Sequence, residues 1–555
     1  MPVYLVRAAI IPAMQRRTFL KASLAGVGGA FLGAPALAAV PVIDVVVYGG
    51  TAAGVAAAVA AARQGARVAL LEPGEHLGGM VSGGLGHSDT GRKETIGGLS
   101  LEFFQRVGRH YGQAVAWDFE PHVAEDVFKQ MAAEAKVNVF YRHRLKEHGG
   151  VRASQQRITE VITDDGMGNG RSFPARAFID ASYEGDLLAQ AGVSFAWGRE
   201  GRDQYQESFA GVRITDKYAH HLFEVPVMAR DARGHLLPNI DPEPRGEIGA
   251  GDKKVQAYNF RLCLTQDKGN QVPIPEPSHY DARQFALLAR LIAADLKKNG
   301  KPPTMHQLTS MSPLPNGKID LNNSGAFSTD FVGRNWDYPT ASYRRKQQMW
   351  HEHADYTAGF FYFLAHDPQV PEPLRSEVQS WGLAQDEFTD SGHWPSQLYV
   401  REARRMVGDF VMTQHDAETA LAKPDPIGMG SYNMDTHHCQ RYVQPDGTAQ
   451  NEGDTEVPSI PYQISYRVLV PKAGECQNLL VPVCASASHI GYGTLRLEPV
   501  YMILGEAAGV AAKLAIDQHT SVQKLDTRPL TQALARQGAI MAWTNPKHLK
   551  LTPLA

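Results

Sequence analysis

Two features of this chain can act together on a ligand: the carboxylate of Glu72 and the small-residue turn Gly49-Gly-Thr-Ala-Ala-Gly54, which begins 23 residues before it. Apolar stretches, Asp44-Val-Val-Val-Tyr48 and Val68-Ala-Leu-Leu71, flank an alanine-rich run. The order is strand, tight turn, helix, strand, acid. A pyrophosphate would rest on the N–H groups at such a helix N-terminus, and ribose hydroxyls would meet the carboxylate. Gly49, Gly50, Thr51, Ala52, Ala53 and Gly54 are the expected phosphate contacts. Ala56, Ala57, Ala60 and Ala61 let the helix lie close to the sheet. The spacing to Glu72 is near that of a dinucleotide fingerprint, although Thr51 stands where that fingerprint has its middle glycine.

A second glycine set narrows the dinucleotide. Gly78, Gly79 and Met80 follow Glu72 closely, and Gly83 and Gly84 come next. A nicotinamide fold has no need of bare backbone there, whereas a flavin lies deep and needs it beside its ribityl chain and ring. FAD is therefore the expected cofactor. Late in the chain, Arg496-Leu-Glu498-Pro499 opens a helix carrying Gly505-Glu-Ala-Ala-Gly509. Arg496, Gly505, Ala508 and Gly509 are expected near the cofactor, where a positive helix end favours charge on a reduced ring by about 1 kcal/mol. Asp186, after Tyr183-Glu-Gly185, is expected to bind ribityl hydroxyls or to cap a helix.

Hydride removal from a C–H bond needs a base for the accompanying proton. His489, after the last strand-like run Asn478–Cys484, is the first candidate, with a structural histidine as the plainer alternative. His438, within His437-His-Cys439, is the second, and Tyr183 is expected to line the site. Adjacent histidines point apart and no second ligand cluster is visible, so no metal is expected. His351 and His353 would splay by about 200° on a helix. Arg261, Arg401, Arg404 and Arg405 could hold an anion or pair with Glu402 or Asp409; the last three arginines share one apparent helix.

These residues need elements to position them. Glu120 to Glu134 has helical apolar spacing at Val123, Val127, Phe128 and Met131, and Val137 to Tyr141 reads as a strand. Ile158 to Thr163 alternates as a strand, a turn covers Asp164 to Gly170, Phe173 resumes the alternation, and Ala177 to Asp180 forms a further strand. The expected class is α/β: a Rossmann-like FAD-binding domain with a β-meander and a large inserted α+β substrate domain. Its division is 1–38 signal, 40–194 cofactor domain, 195–455 insertion, 456–520 return to the cofactor domain and 521–555 helical tail.

Gln15-Arg-Arg-Thr-Phe-Leu-Lys21 is a twin-arginine pattern, followed by a short apolar stretch and an Ala36-Leu-Ala38 cleavage site, which predicts export of a folded protein to the periplasm or beyond. The apolar run is too short for a stable membrane span. Loss of residues 1–38 removes Arg7, Arg16, Arg17 and Lys21 and no acid, moving the net charge from −3 to −7. No basic cluster remains to bind nucleic acid. The 4 cysteines form no C-x-x-C pair, which favours buried or free thiols over a disulfide scaffold.

With Val47-Tyr-Gly-Gly-Thr-Ala-Ala-Gly54, His76-Leu-Gly-Gly-Met80, Asp180-Ala-Ser-Tyr-Glu-Gly-Asp186, Ala257-Tyr-Asn-Phe-Arg261, Tyr399-Val-Arg-Glu-Ala-Arg-Arg405 and Ser488-His489 through Gly509 in place, the chain resembles a bacterial family of FAD-dependent oxidoreductases, many exported and often labelled "xanthan lyase". The resemblance implies FAD and a cofactor domain of glutathione-reductase type, and it leaves the reaction open. The expectation is hydride transfer from a small organic substrate to flavin N5, an alcohol carbon of a carbohydrate or polyol derivative being the leading guess. The alternatives are a redox-neutral flavin-assisted lyase, a C=C reductase or an amine oxidase. The electron acceptor stays open.

Overall fold

The computed structural model describes residues 43–165, 169–419 and 421–543. The expected export segment at 1–38 and the end of the tail lie outside the described residues. Strand β1 (Ile43–Tyr48), helix α1 (Ala52–Arg63) and strand β2 (Val68–Leu71) follow in the order the glycine turn requires. Helices α2 (Gly98–His110) and α3 (Pro121–Glu134) come next, then the strands β3 (Asn138–Phe140), β4 (Arg144–Leu145), β5 (Val151–Ser154), β6 (Arg157–Asp164) and β7 (Gly170–Asp180). The late strand β8 (Leu479–Leu480) returns to this sheet beside β7.

Five of these strands lie parallel in the order β3-β2-β1-β7-β8. The sheet is mixed, because β7 also pairs antiparallel with β6, which carries β4 and β5. Phe173 and Ala177 belong to one 11-residue strand, not two. Its first part faces β6, its second part pairs with β1, and Pro174 sits at the changeover opposite Glu160. The strand's continuity delivers Asp180 beside Tyr48, at the same sheet edge as the glycine turn.

Residues 195–455 contribute a five-stranded antiparallel sheet built from Leu262–Thr265, Gln271–Val272, Thr309–Leu314, Lys318–Asn323 and Gly382–Ala384. They also contribute the 24-residue helix α4 (Tyr343–His366), capped by the Ser342 hydroxyl. Thr455–Val457 pairs with Met434–Thr436, so residues 455 and 456 lie inside a ladder. Residues 399–405 do not form the expected helix. Tyr399 bridges Asn259 in extended backbone, and Arg405 lies in a short strand paired with Ala196.

Helix α5 (Glu498–Asp517) has the length and hydropathy of a membrane span, yet 89% of its apolar window is buried, and it serves as the core helix. Ala53, Ala57 and Ala60 of α1 face it. A side chain on Gly505 would overlap the Ala53 carbonyl, and one on Gly509 the Ala57 carbonyl. Gly505 and Gly509, expected at the cofactor, therefore serve helix-to-helix contact, with Ala508 wholly buried on the same helix. The close approach leaves no room for even a methyl group, so Gly509→Val should destabilise the fold by at least the roughly 1–3 kcal/mol of ordinary overpacking. A lower midpoint in thermal unfolding checks this, and an unchanged midpoint would contradict the packing role.

Candidate cofactor cleft and catalytic cluster

The turn after β1 is held by close main-chain packing and by two side chains, Glu72 and Thr51. Gly49 adopts φ +97° and lies so close to Ala181 and Ser182 that a side chain there would meet their backbone. Gly50 N–H donates to Glu72 Oε2 at 2.6 Å, and Gly74 N–H donates to Oε1 at 2.5 Å. Thr51 replaces a glycine with a cap: its Oγ1 accepts from Gly54 N–H at 3.1 Å and donates to Ala181 O at 2.8 Å. Gly54 is obligatory, since a Cβ would overlap Gly49 O. Ala52 and Ala53 form the first buried turn of α1.

The second glycine set docks on the first. Gly78 N–H donates to Gly50 O at 2.7 Å, and Thr51 and Gly78 form a parallel bridge. Gly78 and Gly79 take φ of +107° and +57°, and Met80 N–H donates to the Tyr183 hydroxyl at 2.9 Å. Gly83 and Gly84 make room for neighbouring chain: a Cβ would press on Gln397 in the first case and on Arg261 O in the second.

The first turn, the end of β2 and the loop after β7 wall a cleft of about 370 Å3, with Gly49, Thr51, Glu72, Tyr183 and Asp186 on the sheet side and Tyr338, Lys346 and Trp350 opposite; the second glycine set packs behind it. Its geometry suits a flavin dinucleotide: a glycine turn leading into a helix start, and a carboxylate one strand away. Burial pushes the Glu72 carboxyl up to about 7 despite its two N–H donors. Burial also opposes charge on Asp186, but Lys346 at 3.1 Å and Arg404 at 2.7 Å hold its carboxyl below the ordinary range. Asp186 thus lines the cleft as part of an ion triad. Lys346 and Arg144, both at the cleft, are cations that the sequence did not flag, because neither lies near a motif.

The base candidates separate sharply. His489 is the first residue of a buried helix, and its Nδ1 lies 2.8 Å from Glu402 Oε2. Burial and the Arg405 guanidinium push its pKa down to about 3. Like His437 and His438 it lies outside the cleft lining, and it ties Glu402 to the last helices. His438 is also buried, with Nε2 on His221 O at 3.1 Å and its pKa pushed down to about 3 by burial. Its neighbour His437 differs. Nδ1 sits 2.9 Å from Asp330 Oδ2, while Nε2 lies 4.0 Å from Asp435 Oδ2, beyond hydrogen-bond reach. Burial and Arg401 push the His437 pKa down to about 4, against the pull of Asp330.

Around this dyad, Arg401 pairs with Asp330 Oδ1 at 2.9 Å, and Arg496 pairs with Asp435 at 2.7 Å and donates to the Tyr399 hydroxyl at 3.2 Å. Arg496, expected at the flavin, is thus engaged with this cluster. One extended segment links the two sites: Ser396, Gln397 and Leu398 border the cleft, and Tyr399 and Arg401 enter the cluster. Arg261 pairs with Asp320 at 2.7 Å, Arg404 with Asp186 and Arg405 with Glu200, so each of the four arginines has an acid. All 4 cysteines are free and buried. Glu120, His122 and Glu387 come together with metal-like spacing. Lys318 Nζ fills their centre, 2.7 Å from Glu120 and 2.7 Å from Glu387.

Losing the Glu72 carboxylate removes a charged acceptor worth about 1.5–3 kcal/mol. Glu72→Ala should therefore bind FAD about 10- to 100-fold more weakly. Flavin absorbance retained after gel filtration measures this, and full retention would exclude Glu72 from the cofactor contact.

No curated protein matches the chain. Solved structures share parts of it at low similarity. The THI4 protein of Thermovibrio ammonificans is 20% identical over 28% of this chain and 66% of its own, at a TM-score of 0.23. A flavoprotein/dehydrogenase from Cytophaga hutchinsonii is 18% identical over 27% of this chain and 41% of its own, at 0.22. The glycerol-3-phosphate dehydrogenase from Bacillus halodurans, complexed with FAD, is 13% identical over 32% of this chain and 44% of its own, at 0.21. The matched part thus spans less than two thirds of each of those chains. The family described as FAD dependent oxidoreductase matches residues 44–534, and the chain belongs to it: an FAD-dependent oxidoreductase.

Proposed function

We propose that this enzyme oxidises a small hydroxylated organic substrate, an alcohol carbon of a carbohydrate or polyol derivative being the leading candidate, with His437 as the base. The turn Gly49–Gly54 and Glu72 hold the ADP half of FAD, and the Gly78–Met80 loop with Tyr183 bounds the space for the remainder. Bound flavin supplies the acceptor for a hydride from the substrate carbon. The observation that carries the reading is the Asp330–His437 dyad, whose ion partner Arg401 lies three residues beyond Leu398 on the segment that leaves the cleft. Asp330 fixes the imidazole tautomer, so Nε2 is the nitrogen left to take the hydroxyl proton. With its pKa near 4, His437 is neutral, and so able to accept, at physiological pH.

A cofactor domain of glutathione-reductase type belongs to the same reading, supported by the antiparallel β5 and β6 leading into the parallel part of β7. So do the inserted substrate domain and twin-arginine export to the periplasm, the latter resting on the Gln15–Lys21 pattern, the apolar stretch after it and the Ala36-Leu-Ala38 site.

Anaerobic bleaching of the flavin by a panel of sugars and polyols tests the reaction. His437→Ala should keep its flavin yet be reduced about 10²- to 10⁴-fold more slowly, the range for loss of a positioned base. For the wild type, kcat/KM should stay level through neutral pH and fall only as the pH drops towards about 4, where His437 gains its proton. A variant reduced at the wild-type rate would remove His437 from the chemistry. Arg16→Lys with Arg17→Lys should leave the yellow protein in the cytoplasm, as read by cell fractionation.

A further inference from the structure

A second cavity, of about 870 Å3, lies among the middle residues and shares no lining residue with the cleft. Helix α4 stands between the two. Arg345, Glu352 and Asp355 border the cavity, whereas Lys346 and Trp350 border the cleft. At 3.6 residues per turn these sets fall on opposite faces of the helix. The segment 330–338 also serves both. Asp330 belongs to the dyad, Phe331, Arg334 and Trp336 line the cavity, and Tyr338 lines the cleft. Trp336 Nε1 donates to Cys439 O at 2.8 Å, two residues beyond His437. The cavity is therefore anchored to the frame that carries the dyad and the cleft.

Its lining joins aromatic carbon to polar groups that the protein leaves unused. Phe331 and Tyr356 stack with centroids 4.0 Å apart and planes 6° apart, and Phe285 lies against Tyr356 at 5.9 Å. The Tyr356 hydroxyl donates to Ser328 O at 2.8 Å, and the Trp336 N–H is engaged as above, so these rings offer the cavity carbon. Among the charged groups, Asp337 and Glu352 both pair with Arg345, at 3.2 and 2.7 Å, and Asp281 pairs with Arg283 at 2.8 Å. Asp355 has no partner among the described residues. Arg334 has no acid there either; it is steadied by Asn239 Oδ1 at 3.4 Å. Asn239 is only 5% exposed, and its Nδ2 donates to Gln284 O at 3.1 Å. One carboxylate and one guanidinium thus border the same space without pairing with each other.

We propose that this cavity binds a neutral, hydroxyl-rich ring compound, a glycosyl unit, with Asp355 accepting from its hydroxyls, Arg334 donating to them, and the rings of Phe331, Tyr356 and Trp336 packing on its C–H face. A hydroxyl both donates and accepts, so neighbouring hydroxyls on one ring can answer the carboxylate and the guanidinium together. The volume falls within the roughly 300–1,000 Å3 of small-molecule sites, which combine aromatic carbon with a few placed polar groups. Carboxylates of Asp281, Asp337, Glu352 and Asp355 outnumber the guanidiniums of Arg334 and Arg345, which disfavours an anion. A small cation would answer Asp355 and leave Arg334 without an acceptor. The site goes beyond the oxidation proposed above and does not depend on it.

The test is calorimetric titration of the FAD-loaded full chain, kept anaerobic, with cellobiose, maltose and lactose, and with glucuronate and lysine as charged comparators. At least one of the three neutral disaccharides should bind at one site per chain, more tightly than either comparator. Asp355→Ala and Arg334→Ala should each weaken that binding about 10- to 100-fold, the weight of a hydrogen bond to a charged group. His437→Ala should leave it unchanged. Neither Asp355 nor Arg334 belongs to an internal ion pair, so each variant checks the other against a loss of fold. No binding by any of the three disaccharides, tighter binding of glucuronate or lysine, or binding that survives both cavity variants would overturn the proposal. Flavin absorbance read on the same samples separates the two readings. Binding without bleaching supports this site while the alcohol-oxidation reading fails, and bleaching without binding that depends on Asp355 and Arg334 does the reverse.

Discussion

The hydrogen bond from Gly50 N–H to Glu72 Oε2 is the contact on which the cofactor half rests. It ties the turn after β1 to the end of β2, and Gly78 N–H on Gly50 O adds the next loop to the same point. Thr51 on Ala181 O brings in the end of β7. Three stretches of main chain thus meet at the turn, joined by one carboxylate, one hydroxyl and one main-chain bond. That meeting fixes the first turn of α1, and the alanine face of α1 admits α5 at a distance only glycine allows. The start of α5 then delivers Glu498 to Tyr183. A larger residue anywhere along this path would displace the cleft floor before it touched a ligand.

The second constraint is charge taken out of water. Arg199, Arg401, Arg405 and Arg441 are buried, as is Lys318. Arg199 pairs with Asp252 and Glu452, and Arg405 with Glu200, partners more than 200 residues away in the second and third cases. Such pairs gain little net stability against desolvation, yet breaking one leaves an uncompensated buried charge and costs about 3–5 kcal/mol. Their effect here is positional. They hold distant loops of the middle residues in one register, and Lys318 among its carboxylates shows the same logic neutralising an acidic cluster that would otherwise invite a cation.

What could be read in the sequence follows from range. The glycine turn, Glu72, the α1 alanines and the strand patterns around β6 and β7 act over a few residues or one strand–helix–strand unit, and their order is legible in the sequence. The lost helix at 399–405 shows the limit. Its arginines look amphipathic in sequence, and Arg405 does pair with Glu402 as that reading allowed, but each is also claimed by a distant acid, and the chain extends to meet them. His437 and His438 are adjacent and alike in sequence. Only Asp330, 107 residues away, distinguishes the first. Lys346 reaches the cleft from α4 for a similar reason, paired with Asp186 at a separation of 160 residues. Gly505 and Gly509 read equally well as ligand contact or helix contact, because both need the same missing side chain.

This division of range has a chemical consequence. In the proposed reading the cofactor floor is mostly close-packed main chain, while the dyad is side chain on residues supplied from the middle of the sequence. Asp330 carries the arrangement: Oδ2 meets His437 and Oδ1 meets Arg401. Before proton transfer, Arg401 and Asp330 cancel and the imidazole is neutral. After it, one positive charge appears beside the carboxylate that already orients the ring. Arg401 keeps Asp330 ionised and so guards the tautomer, yet it also lowers the basicity of His437. If His437 is the base proposed above, the same guanidinium sets both its readiness and the limit on its strength, and substitutions around it would retune the proton step without disturbing the glycine turn.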